Sequence, residues 1–202
     1  MCNLLDDSLA VLDLARTDAY VLPTAKYKFG VARKRPSIGE RRYGAEVFAR
    51  IRDFLGNARE IDAAGLSEEL QLLASIDGID AGEAVLFSAT AEFAQYLLAT
   101  GDKTSLRALA LAPACRPVAQ RIPGHVICLE QIVKRLIQHF GFLFVKNKIV
   151  PSRACDTALS TAFGSGWDAT ESNVLAALDS YINGLRSLPI NLLTDVDSPA
   201  QG

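Results

Sequence analysis

The chain has 202 residues, half of them hydrophobic, with a formal net charge of −2. That is enough apolar material for one substantial core, and a single domain with a helical extension is expected rather than two independent domains. The charge balance excludes a globally basic nucleic-acid binder and leaves room only for a local basic patch. Cys2, Cys115, Cys128 and Cys155 form no C-x-x-C pair, which argues against structural zinc and for free, mostly buried thiols in a reducing, cytoplasmic setting. Asp6 and Asp7 interrupt the first apolar stretch, so no signal peptide is expected there. No run approaches the roughly 20 apolar residues of a membrane span, and no membrane partner is expected.

In chain order, Asn3-Leu4-Leu5 allows only a short strand, and Ser8 to Ala15 carries Leu9, Val11 and Leu12 at helical spacing. Ala19 to Leu22 is a brief apolar run ending at Pro23, expected as a second strand. Thr24 then opens a helix, Ala25 to Val31, with Lys28 in its first turns. From Lys26 to Arg42 the cations Lys26, Lys28, Arg33, Lys34, Arg35, Arg41 and Arg42 face one acid, Glu40, across the Pro36-Ser37-Ile38-Gly39 break. Ala45 to Leu55 carries an amphipathic stripe (Val47, Phe48, Ile51, Phe54, Leu55) closed by Gly56-Asn57. Glu60 to Ala63 is expected as a short strand or connection, and Leu66 opens a further helix.

Asp80 or Gly82 precedes a helix running through Glu83 to Gln95, followed by Tyr96-Leu97-Leu98-Ala99 as a core strand closed by Thr100-Gly101-Asp102. An acid at a strand's carboxyl end is where open α/β sheets place ligands. Thr104 or Ser105 would cap a short helix over Leu106 to Leu111. His125 to Phe140, Asp156 to Phe163 and Ser172 to Leu185 are expected as helices. His125 and His139 then stand fourteen positions apart on one helix, too far for a joint metal site. Phe163-Gly164-Ser165-Gly166-Trp167 reads as a turn with an aromatic anchor, and an exposed Trp167 would make it an interaction point. Thr194 to Gly202 is a polar tail expected to fray.

The order of these acids and elements resembles the PIN-domain family of metal-dependent nucleases. Leu4-Leu5-Asp6-Asp7-Ser8-Leu9 looks like the family's opening strand and first acid. Val21-Leu22-Pro23 with its helix looks like the second strand and helix, Gly82-Glu83-Ala84 like the third acid, and Leu98-Ala99-Thr100-Gly101-Asp102 like the fourth. The resemblance covers roughly residues 3 to 112. It implies an α/β fold, a PIN-like three-layer α/β/α domain over 1–112 with a short, mostly parallel sheet. An all-helical extension over 113–193 and a flexible tail over 194–202 complete the expected organisation.

The resemblance further implies Mg²⁺ or Mn²⁺ held by Asp6, Glu83 and Asp102, activating a water for attack on phosphorus. Asp80 and Ser105 are auxiliary candidates. The family's second acid is replaced by Lys28 within Tyr27-Lys28-Phe29-Gly30. A unit charge about 4 Å from another is worth about 4 kcal/mol at an effective dielectric near 20, so a lysine there weakens cation binding unless Glu40 or Glu46 substitutes. Lys26, Lys28, Arg33, Lys34, Arg35, Arg41 and Arg42 are the candidate grip on a nucleic-acid backbone, RNA being the expected substrate.

Each acid also has an ordinary structural role open to it: Asp6 or Asp7 as a cap, Asp80 and Glu83 as first-turn residues, Asp102 as a turn residue. Two functional readings follow. One is a PIN-like ribonuclease, the other a catalytically impaired PIN-like module that binds nucleic acid or protein. The helical part is available for a protein partner or a homodimer in either case.

Overall fold

The computed structural model describes residues 4–32, 37–63 and 67–195. The protein is mostly helical, with two short parallel strand pairs. The chain divides into two compact units, Met1–Asp62 and Ala63–Gly202.

In the first unit α1 (Leu5–Val11) begins directly at Leu5, with Asp6 and Asp7 in its first turn. Carboxylates suit that end of a helix because its free N–H groups carry partial positive charge. The expected opening strand is thus helical from Leu5 onward, while Asn3 lies outside the described residues. Leu4 is fully buried, and Ser8 Oγ donates to its carbonyl at 2.6 Å one turn away.

Strand β1 (Tyr20–Val21) leads through α2 (Ala25–Lys28), α3 (Ser37–Tyr43) and α4 (Ala45–Asn57) to β2 (Arg59–Glu60). The strands pair in parallel, Tyr20 opposite Arg59 and Val21 opposite Glu60. Helix α4 buries Phe48, Ile51 and Leu55, the inner part of the stripe expected from the sequence. Gly39 sits where α3 meets α4, and a Cβ there would collide with Cε2 of the buried Phe48 ring. No residue but glycine fits without displacing that ring.

The second unit begins with α5 (Ser67–Ala74), α6 (Ala81–Ala89) and a 3₁₀ turn (Thr90–Glu92). Next come β3 (Leu98–Thr100), α7 (Lys103–Leu111), α8 (Arg116–Arg121) and β4 (Val126–Cys128). Helices α9 (Leu129–Phe140), α10 (Phe142–Ile149), α11 (Thr157–Ala162) and α12 (Glu171–Arg186) complete it. Strands β3 and β4 pair in parallel with Leu98, Ala99 and Thr100 opposite Val126, Ile127 and Cys128. On the far edge of β4, Val126 bonds to Leu192 and Thr194.

A strand therefore lies within the segment expected to be wholly helical. Val126-Ile127-Cys128 is buried throughout, and an uninterrupted apolar run of that length fits a buried strand as well as a helix face. The core of this unit joins Leu73, Phe87, Leu106, Leu109, Val118, Val126, Ile182 and Leu185 from five helices and a strand. Arg121 ties three of the helices together. Its Nη2 donates to Glu69 Oε1 at 2.6 Å and to the Phe87 carbonyl at 3.1 Å, and its Nε donates to Thr90 Oγ1 at 2.9 Å. Among the described residues no helix is long and apolar enough to cross a membrane.

Overpacking at Gly39 gives a direct test of the α3–α4 junction. Gly39→Ala is expected to lower stability by about 1–3 kcal/mol, as insertion into a filled core generally does. Adding Phe48→Leu, which makes room, should return part of that loss. Urea melts of the two single variants and the double variant measure the coupling, and strict additivity would refute the predicted clash.

Candidate functional site

The residues that carry chemistry in the second unit gather at the carboxyl ends of β3 and β4. Asp102 follows β3 with extended backbone angles and caps α7. Its Oδ1 accepts from the Thr104 and Ser105 N–H groups at 2.9 and 3.0 Å. A short carboxylate reaching back over the first turn satisfies donors that have no partner within the helix. Asp80 does the same for α6, accepting from the Glu83 N–H at 2.8 Å.

Thr100, the last residue of β3, connects these two acidic helix starts. Its hydroxyl donates to Glu83 Oε1 at 2.8 Å and accepts from the Asp102 N–H at 3.0 Å. One buried hydroxyl therefore links the carboxylate of Glu83 to the backbone of Asp102, two of the three acids expected from the sequence, while the Asp102 carboxylate turns to the α7 N–H groups.

Glu130 is a further acid at this strand end, and sequence reasoning missed it. It follows β4, whose last residue Cys128 lies opposite Thr100. Its side chain is fully buried, with Oε1 accepting from Lys103 Nζ at 2.6 Å. Its Oε2 takes no hydrogen bond among the described residues. Lys103 also lies over the Tyr181 ring of α12, 5.0 Å from its centroid. The signal for Glu130 was present, an acid directly after the apolar run Val126 to Leu129, but reading 125–140 as one helix concealed it.

The strand end also perturbs a thiol. Cys128 is pushed from its ordinary 9.0 up to about 12, chiefly by burial and next by the nearby Glu130 carboxylate. Burial likewise raises Cys115. Neither is set up as a nucleophile, because a reactive cysteine needs its thiolate favoured.

Other candidates have local partners. Asp6 accepts from Arg16 Nε at 3.0 Å and Nη2 at 2.6 Å, and Arg16 Nη1 pairs with Asp53, all within the first unit. Lys28 ends α2 and is exposed. Glu40 is exposed on α3, and Glu46 pairs with Arg50 one turn along α4.

Of the basic segment, Lys26 pairs with Glu60 at 2.8 Å, while Arg41 and Arg42 close the last turn of α3, Arg42 lying over the Tyr43 ring. Arg33, Lys34 and Arg35 lie outside the described residues. Ser105 is buried, and its hydroxyl donates to the Gly78 carbonyl at 2.9 Å, which holds the loop before α6. The two histidines do not share a helix. His125 stacks on Tyr96 ahead of β4, and His139 sits on α9 beside Phe140.

Glu83 and Asp102 offer hard oxygen donors, the type Mg²⁺ and Mn²⁺ prefer, and Mg²⁺ is commonly held by one or two carboxylates with water completing its shell. Among the described residues no group of three histidine, cysteine or acidic side chains comes together to hold a metal.

Two predictions follow from the buried charges. Lys103→Met leaves the Glu130 carboxylate buried without its cation and is expected to cost about 3–5 kcal/mol, whereas Lys103→Met with Glu130→Gln should recover most of it. Chemical denaturation of both variants decides the matter, since equal destabilisation would refute the pairing. The Cys128 thiol keeps its proton longer in the folded state than in the unfolded chain, so its stabilising effect is complete below about pH 9 and is lost as pH rises toward 12. Between those limits wild type should lose about 1.4 kcal/mol per pH unit more than Cys128→Ala. Parallel stability curves for the two proteins above pH 9 would refute the shift.

No protein-family model, curated protein or solved structure matches the chain.

Proposed function

We propose that the protein is a PIN-like nuclease that hydrolyses RNA phosphodiesters with Mg²⁺ or Mn²⁺ held by Glu83 and Asp102. The observation that carries this reading is the Thr100 hydroxyl, which bonds the Glu83 carboxylate and the Asp102 backbone N–H at the carboxyl end of a parallel strand. Strand–helix–strand units with parallel strands place ligand groups at that end because the connecting loops converge there. The PIN-like layered fold with a helical extension belongs to the same proposal, supported by the order of acids and elements along the chain and by the β3–α7–α8–β4 connection.

In this reading Thr100 fixes the Glu83 carboxylate, and the α7 N-terminus fixes Asp102 through Oδ1. Asp102 would then contribute its second carboxylate oxygen to the ion. When bound, the ion lowers the pKa of a water and offsets charge on the phosphate oxygens. Lys103, held beside Asp102 by Glu130, brings a fixed positive charge close to where an anionic substrate sits. The same lysine favours a second reading, a PIN-like module that binds without turnover. A cation beside the acids reduces the net negative charge available to a metal.

The test is cleavage of a labelled single-stranded RNA in Mn²⁺ or Mg²⁺ by wild type, Glu83→Gln and Asp102→Asn. Asparagine retains the cap on α7, so the second substitution removes charge while keeping the helix start. Loss of a well-placed charged group costs about a hundredfold or more in rate. Equal cleavage by all three proteins would sink the nuclease reading, and RNA retention with no metal-dependent cleavage would establish the binding module.

A further inference from the structure

The segment from Gln131 to Ala154 contains Lys134, Arg135, His139, Lys146, Lys148 and Arg153 and no aspartate or glutamate. In a chain of net charge −2 this is a local excess of positive charge, and it coincides with exposed aromatic surface. On α10, Val145 and Ile149 face the core, which turns Leu143 and Phe144 outward at 67% and 37% exposure. Phe144 packs against Phe140 at 5.2 Å between centroids, and Lys148 Nζ lies 5.5 Å from the Phe144 centroid. On the other flank Lys146 Nζ donates to the carbonyls of Trp167 and Ala169 at 3.2 and 3.4 Å. That bond sets the 3₁₀ turn Gly166–Asp168 against α10, and Trp167 stands 58% exposed.

Exposed apolar surface rimmed by polar and charged groups marks interaction sites. A purely apolar partner would leave the flanking ammonium groups without counter-charge, and an acidic one would leave the rings unused. Single-stranded nucleic acid satisfies both, because every base has a face to stack and every linkage carries a negative charge. Of the acids in the neighbouring segments, Asp179 pairs with Lys134 at 2.7 Å and Asp156 caps α11, which leaves Asp168 and Glu171 near the Trp167 turn against Lys146 and Lys148.

We propose that α10 and the Trp167 turn form a binding surface for single-stranded RNA, with bases stacking on Phe144 and Trp167 and phosphates meeting Lys146 and Lys148. The flexible lysine stem lets the Lys148 ammonium leave the Phe144 ring for a phosphate, uncovering the ring for a base. The choice of RNA over other single strands rests on the nuclease reading. The surface itself rests on its own residues.

Trp167 is the sole tryptophan, so its emission reports this surface alone. The full chain is titrated with a 12-nucleotide oligouridylate in EDTA, which prevents any metal-dependent cleavage. Trp167 emission is expected to quench, with affinity falling as salt rises. Phe144→Ala and Lys148→Glu, both surface changes, are each expected to weaken binding about tenfold in anisotropy titrations with labelled RNA. Circular dichroism checks that both variants remain folded. The proposal is overturned if neither variant weakens binding, if emission is unmoved at saturating RNA, or if no RNA binds. Self-association abolished by Phe144→Ala, with no RNA binding, overturns it in favour of a protein interface. RNA bound at this surface but cleaved by no form of the protein supports this inference and sinks the nuclease reading instead. Cleavage with kcat and KM unchanged in Phe144→Ala overturns this inference and leaves the nuclease reading standing.

Discussion

The three-residue parallel ladder between β3 and β4 is the constraint on which the second unit depends. Parallel strands cannot be joined by a tight turn, so the chain must cross over from Thr100 to Val126 through α7 and α8. That crossover returns β4 in the same direction as β3, and the two strands therefore end at the same edge. Thr100 faces Cys128 there, and the residues that follow each strand, Asp102 and Glu130, become helix-start acids on neighbouring elements. The proximity of acidic groups is a product of strand direction rather than of any local motif.

Their arrangement shows how the fold limits the resulting repulsion. Asp102 and Asp80 are stabilised by backbone N–H groups at helix starts, whose partial positive charge offsets one carboxylate each. Glu83 accepts from a hydroxyl, and Glu130 takes a lysine. A fully buried glutamate is rarely a gain in stability over an apolar residue of similar size. Its retention at a strand end that also holds Glu83 and Asp102 makes more sense as the anchor of Lys103 than as part of the core. The pair is then a means of holding a cation beside the acids with little freedom to leave.

Much of this was legible in the sequence, and the failures have identifiable causes. The stripe of α4, the cap at Asp80, the strand before Asp102 and the start of α12 near Glu171 could all be read, because periodicity and capping residues are local signals. The strand β4 could not be separated from α9, since Val126, Ile127 and Cys128 are buried on every side and carry no alternation. Leu4-Leu5 is too short an apolar pair to show a period and so reads equally as a strand, while the two acids after it point to the helix start that is found. Ser105 reads as a polar residue available to substrate, yet its hydroxyl is used on the Gly78 carbonyl, a partner 27 positions away. Asp6 likewise pairs with Arg16, ten positions away. Partners of that kind are tertiary facts, and no spacing rule reveals them.

The distribution of charge carries a related lesson. A net charge of −2 argues against a nucleic-acid binder taken as a whole, and the densest run of cations lies between Lys26 and Arg42. There Lys26 has Glu60 and the described arginines end a helix, where cations are favoured without any ligand. Between Gln131 and Ala154 the cations are more widely spaced and read as the polar face of an ordinary helix. Only the exposure of Phe144 and Trp167 beside Lys148 and Lys146 distinguishes them. Charge alone attracts any polyanion, and aromatic surface alone attracts any apolar partner. Their interleaving on one short helix and one turn narrows the choice to a ligand that is flat, repeated and anionic.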